Sequence, residues 1–153
     1  MYLFLLSVHA VVRWLVLLSV LVALGRGVRG WRGRRSFTRI DNTARHLTAT
    51  FAHVQLLIGY TLYFVSPLVA AFRAGAQPHP ANALRFFGWL HPLLMTVVVV
   101  LLTIGSSAAK RQPTDPAKFR TLVIWFAGAL LVLLIAIPWP FSPLAQRPYL
   151  RFF

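Results

Sequence analysis

YLFLLSVHAVVRWLVLLSVLVAL, from Tyr2 to Leu24, is apolar over a length that spans a bilayer, yet its first half carries His9 and Arg13. A transmembrane helix needs about 20 mostly apolar residues. An imidazole or a guanidinium inside that thickness is costly, and usually functional. No basic n-region precedes the run, which also exceeds a signal-peptide h-region. Span one is therefore expected to stay in the mature protein. Read outward from it, the chain shows three more such runs and predicts an all-α integral membrane protein, a four-transmembrane-helix bundle.

The composition agrees with this class. Of 153 residues, 58% are hydrophobic and only 12% charged, which leaves no stretch suited to a separate soluble domain. Residues 1–153 read as one membrane domain with spans at about 2–25, 44–72, 85–109 and 119–137. The net charge of +14 would suggest nucleic acid in a soluble protein. Here the basic residues flank apolar spans, so they read as an orientation signal and a contact for membrane lipids, and no nucleic-acid partner is expected. Cysteine is absent. That excludes disulfides, thiolate metal sites and covalent haem attachment through C-x-x-C-H.

Orientation follows from where the cations fall. GRGVRGWRGRR begins a basic, Gly-rich first loop holding Arg26, Arg29, Arg32, Arg34, Arg35, Arg39 and Arg45, and the third loop holds Lys110, Arg111, Lys118 and Arg120. The opposite side has Arg73, Arg85, Arg147 and Arg151. Loops 26–43 and 110–118 are thus predicted to be cytoplasmic, with both termini outside a bacterial inner membrane. Trp31, Trp89, Trp139 and Tyr149 lie near predicted interfaces. RAGAQPHPAN (73–82) reads as a turn-rich loop, span two runs on past Pro67, and IPWPFSP stops span four, because closely spaced prolines cannot continue a helix.

Depth decides which polar residues can meet. With a rise of about 1.5 Å per residue, His9 and His91 each lie roughly 10 Å below the outer boundary of spans that run in the same direction. Two imidazoles at equal depth on facing helices suit the axial positions of a haem iron. Gly88, one turn before His91, would leave room for a flat macrocycle, and Met95, one turn after it, is an alternative iron ligand. Arg13 stacks on His9 at i+4. Asp41 and Asp115, the only carboxylates, fall in loops. Candidate partners for Arg13 are therefore a haem propionate, a quinone carbonyl, backbone carbonyls or an acid of another subunit. His53 lies deeper. With His46, Thr50 and Tyr60 it shares one face of span two, read as an interhelical polar seam, a quinone contact or a ligand to a second haem. Gln55 reads as turned away from that face. Trp125 and Gly128 suit packing in span four.

HAVVRW (9–14), HVQLLIGYTLYF (53–64), RFFGWLHPLLM (85–95), LLTIGSS (101–107) and IPWPF (137–141) together resemble a family of small bacterial four-helix membrane proteins labelled cytochrome b-like. The resemblance covers nearly the whole chain and implies haem-ligand candidates at His9, His53 and His91. The chain departs from it at Ser106, where relatives tend to carry histidine, and at Leu90, where they tend to carry an acid. The first departure removes a partner for a deep haem on His53.

Two functions compete. One is a b-type cytochrome-like electron-transfer or accessory subunit with non-covalent haem b, possible exchange with quinone, and other membrane subunits as partners. The other is a haem-free structural or accessory subunit of a larger respiratory or photosynthetic complex. A transporter is disfavoured by the absence of inverted repeats or broken spans. A stand-alone enzyme is less expected than either subunit.

Overall fold

The computed structural model describes residues 1–75, 81–145 and 147. Tyr149, Arg151 and the centre of the predicted 73–82 loop lie outside the described residues. Helix α1 covers Tyr2–Arg32, α2 Arg39–Val65, α3 Pro67–Arg73 and α4 Ala81–Arg85. A π-helical turn, Phe86–Leu90, joins α4 to α5, His91–Arg111, and α6 covers Asp115–Ala136. Among the described residues, four helices are long and apolar enough to cross a membrane. They form an antiparallel ring in which α1 packs on α2 and α6, and α5 packs on α6 and α2. Helices α1 and α5 thus sit diagonally across the bundle.

The interior is built from Val16, Val20, Val98, Leu102, Phe126 and Leu133, all essentially inaccessible. Large apolar residues such as Leu18, Leu57, Leu131 and Ile135 face outward, the pattern of a helical bundle solvated by lipid.

Of the first basic segment's glycines only Gly33 lies in a turn; Gly25, Gly27 and Gly30 are helical. Helix α1 continues through them to Arg32, beyond the predicted end at 25, because Gly27 and Gly30 let α6 approach. A Cβ at Gly30 would lie 2.3 Å from the Phe119 ring, and one at Gly27 2.8 Å from Leu122 Cδ2. The chain then turns at Arg34, whose φ is 48°, and re-enters helix through a capping box. Asp41 N–H donates to Thr38 Oγ1 at 3.4 Å and Thr38 N–H donates to Asp41 Oδ2 at 2.9 Å. Arg26 closes the corner with an ion pair to Asp41 at 2.8 Å.

Proline sets the other ends. Helix α2 stops at Val65 rather than running through Pro67, and Ser66 caps the separate α3 by accepting from Val69 N–H. In α5, Pro92 has no N–H for the carbonyl of Gly88, four residues earlier. The helix answers with the π turn, in which His91 N–H donates to Phe86 O, and Tyr63 Oη donates to the freed Gly88 carbonyl at 3.1 Å. At the end of α6, Pro138 and Pro140 free the carbonyls of Leu134 and Ala136 in the same way. Trp139 Nε1–H donates to the first at 2.8 Å and His91 Nδ1 to the second at 2.8 Å.

Helices α5 and α6 touch most closely at Gly105, where an added Cβ would fall 2.3 Å from Trp125 Cβ. Gly105→Ala is expected to force the helices apart and to lower the unfolding free energy in detergent by about 1–3 kcal/mol. Gly128→Ala, where nothing lies within 4 Å, should leave it unchanged or raise it. Denaturant titration of both variants measures the difference.

Candidate functional site

The diagonal placement of α1 and α5 brings His9 and His91 together. Their ring centroids lie 6.3 Å apart with planes at 71°. His91 is held on its far side, where Nδ1 bonds the Ala136 carbonyl. A carbonyl can only accept, so Nδ1 carries the proton and Nε2 keeps a lone pair. The rings of Phe86 and Phe87 flank the same imidazole at 5.5 and 5.8 Å. His9 rests against Gly59 of α2, where a Cβ would stand only 3.2 Å from its Cε1.

A cavity opens around this pair between α1, α2 and α5. It is partly open and has a volume of about 150 Å³. Leu6, Leu56, Leu62, Val69 and Phe87 make apolar walls, while His9, Arg13, Gln55, Tyr60, Tyr63 and His91 supply polar groups. Pro138 and Arg147 bring the segment after α6 to the cavity. Arg147 lies over the Phe87 ring at 5.0 Å and Arg13 over the Trp14 ring at 5.2 Å. Met95 borders this cavity and a smaller one that adjoins it.

Other predicted site residues go elsewhere. The room expected above Gly88 is filled by Phe72 of α3, whose ring would meet a Cβ there at 2.5 Å. Gly88 serves helix packing. His53 is exposed on the outer groove between α2 and α5. Its Nδ1 donates to Ala49 O at 2.7 Å, and its Nε2 lies 3.5 Å from Thr103 Oγ1, whose own proton goes to Val99 O. Seven residues on, Tyr60 bonds Thr96 at 2.9 Å, so a polar seam does link the two helices. Thr50 bonds back to His46 O within α2. The seam and the His9–His91 pair lie on different faces of α2, and only Tyr60 borders both.

Two residues take roles that the sequence reading did not give them, although Gln55 is turned away from the His53 face as expected. Gln55 is turned inward, only 2% exposed, and its Nε2 donates to His9 O at 3.0 Å. The spacing of Gln55 and Gly59 within H-x-Q-L-x-x-G, one turn apart, is the signal that places both on the cavity face. Arg45, counted with the first loop, is 5% exposed. It donates to Ser106 Oγ at 2.9 Å and Ser106 O at 3.1 Å, and also bonds Asn42 Oδ1. Ser106 thus meets an arginine rather than a haem on His53.

Comparison with protein-family models, curated proteins and solved structures finds no match to this chain. The chemistry of the site must therefore be judged from its atoms. Among the described residues, no group of three or more histidines and carboxylates could hold a metal ion. A haem asks less of the protein, since its porphyrin supplies four ligands and the chain only the axial ones. The two imidazoles fit that demand in kind. His9 and His91, with ring centroids 6.3 Å apart, are the residues that would hold such a group. The enclosed volume by itself holds a single ring, as a cavity of about 150 Å³ holds benzene. A larger planar group must extend through the mouth.

His91→Phe should retain the packing and orphan the Ala136 carbonyl. The expected cost is about 1–3 kcal/mol in detergent unfolding, whereas His9→Phe leaves that carbonyl bonded and should cost less.

Proposed function

We propose that this chain is a membrane-embedded, b-type cytochrome-like electron-transfer or accessory subunit in which His9 and His91 are the axial ligands of one haem b. The observation that carries the reading is the imidazole pair across the bundle diagonal, with His91 fixed by Ala136 so that Nε2 keeps its lone pair. The resemblance of HAVVRW and RFFGWLHPLLM to cytochrome b-like proteins points the same way. A bound haem would supply a one-electron couple. The chain's own part is to hold two neutral imidazoles, to bury the iron among apolar walls and to place the Arg13 guanidinium beside them. Burial and adjacent positive charge both disfavour the more cationic, oxidised iron, and so raise the potential. Met95 is the reserve ligand on the same face of α5.

The enclosed volume gives a second reading some support. It matches a single ring, so a quinone headgroup in a haem-free accessory subunit would meet the same histidines, Gln55 and Tyr60. A reduced-minus-oxidised spectrum of the purified protein separates the two. An α-band in the b-type region is expected, with loss of most bound haem in both His9→Ala and His91→Ala. Full retention in both variants, or a folded protein that takes up no haem, overturns the haem reading.

We propose the same bacterial inner membrane that the family resemblance implies, and the clustering of cations at one end of the bundle supports residues 26–43 and 110–118 as its cytoplasmic side. Because the chain has no cysteine, Ser36→Cys gives a single reporter. An impermeant reagent added outside intact cells should fail to label it, and labelling would invert the topology.

A further inference from the structure

Beside the main cavity is a second one of about 10 Å³, bordered by His9, Arg13, Gln55, His91 and Met95 and closed by Val16, Leu133 and Ile137. Two buried polar atoms of the residues around it, His9 Nδ1 and Gln55 Oε1, have no hydrogen-bond partner among the described residues. Their roles are constrained. Gln55 gives its Nε2–H to the His9 carbonyl, so its Oε1 is an acceptor that awaits a donor. If His9 binds a metal through Nε2, Nδ1 carries the proton and is a donor that awaits an acceptor.

Leaving both unmet in a dry interior would cost about 1–3 kcal/mol each. A pocket of this size is at the volume one water needs, and such waters hold their place through two to four polar partners. We propose that a single ordered water occupies it, accepting from His9 Nδ1–H and donating to Gln55 Oε1, so that Gln55 sets the tautomer of His9. Gln55 is then a positioning residue for His9, as the Ala136 carbonyl is for His91. The two imidazoles become alike, each protonated at Nδ1 and each with a lone pair at Nε2. The tautomer assigned to His9 rests on the axial-ligand reading above, while the water bridge itself does not.

The test uses the full chain in lipid nanodiscs, ¹⁵N-labelled at histidine, without added haem. Nitrogen shifts are expected to show His9 as the Nδ1–H tautomer, with a cross-peak from that proton to water. In Gln55→Leu the His9 signals should move toward a tautomer mixture while those of His91 stay fixed. Gln55→Glu, which keeps acceptor oxygens, should restore them. An Nε2–H tautomer in the native chain, a missing water cross-peak, or His9 signals indifferent to Gln55→Leu overturns the proposal. The first two measurements need no variant and stand even if Gln55→Leu does not fold. Haem titration followed by absorption is read separately. Gln55→Leu should weaken haem binding by about 10–100-fold, as loss of an outer-shell partner does, and Gln55→Glu should recover much of it. Haem binding that is unchanged in Gln55→Leu also overturns the proposal, yet leaves the His9–His91 reading intact. A native chain that binds no haem but shows the water bridge fails that reading and keeps this one.

Discussion

A backbone carbonyl that loses its helical donor inside a bilayer has no water to turn to. Prolines at 92, 138 and 140 create three such carbonyls at one end of this bundle, at Gly88, Leu134 and Ala136. Each is met by an aromatic or imidazole N–H or O–H: Tyr63, Trp139 and His91. These bonds tie α2 to the turn before α5, and α5 to the end of α6. They also settle the chemistry of His91. An imidazole recruited to cap a carbonyl through Nδ1 has one tautomer and presents one lone pair. The same bond that repairs the helix end therefore prepares the ligand atom, and the π turn ahead of it sets the angle at which the ring meets His9. Such π turns recur at functional sites, and here proline gives the turn a cause.

The rest of the architecture concerns which helices may come close. Glycines draw α6 against both neighbours, at Gly27 and Gly30 of α1 and at Gly105 of α5, where any Cβ would overlap its partner. Helix α2 has no glycine seam with α5. It is joined to it by side-chain hydrogen bonds from Arg45 and Tyr60, and to the π turn before it by one from Tyr63. Such bonds average about 0.6 kcal/mol each in membrane bundles. They hold a spacing without closing it. The cavity opens on this side of the bundle, beside the one glycine of α2, Gly59, which seats His9 rather than another helix.

How much of this could be read from the chain follows from which signals are local. Four spans were legible because apolar length is additive along the sequence. The meeting of His9 and His91 was legible because helical rise converts residue number to depth. Rotation about a helix axis was not. His53 and Gln55 are two residues apart, nearly opposite on α2, and nothing in composition says which one faces inward; the pairing of α2 with both α1 and α5 decides it. The glycines of the first basic segment read as a loop because glycine is a poor helix former alone, and only the Leu122 and Phe119 side chains across the interface explain Gly27 and Gly30. Arg45 looked like one more topological cation for the same reason, since its hydrogen-bond partner Ser106 lies in a distant span.

Charge completes the picture. Asp41 is engaged by Arg26 and Thr38, and Asp115 by Lys118 at 2.9 Å. Both carboxylates of the chain are thus committed at the end of the bundle remote from the cavity. Among the described residues, the cavity is lined by Arg13 and Arg147 and by no acidic side chain. Apolar walls keep the dielectric low around these imidazoles and guanidinium groups, so each polar contact made inside the cavity counts for more than it would in water.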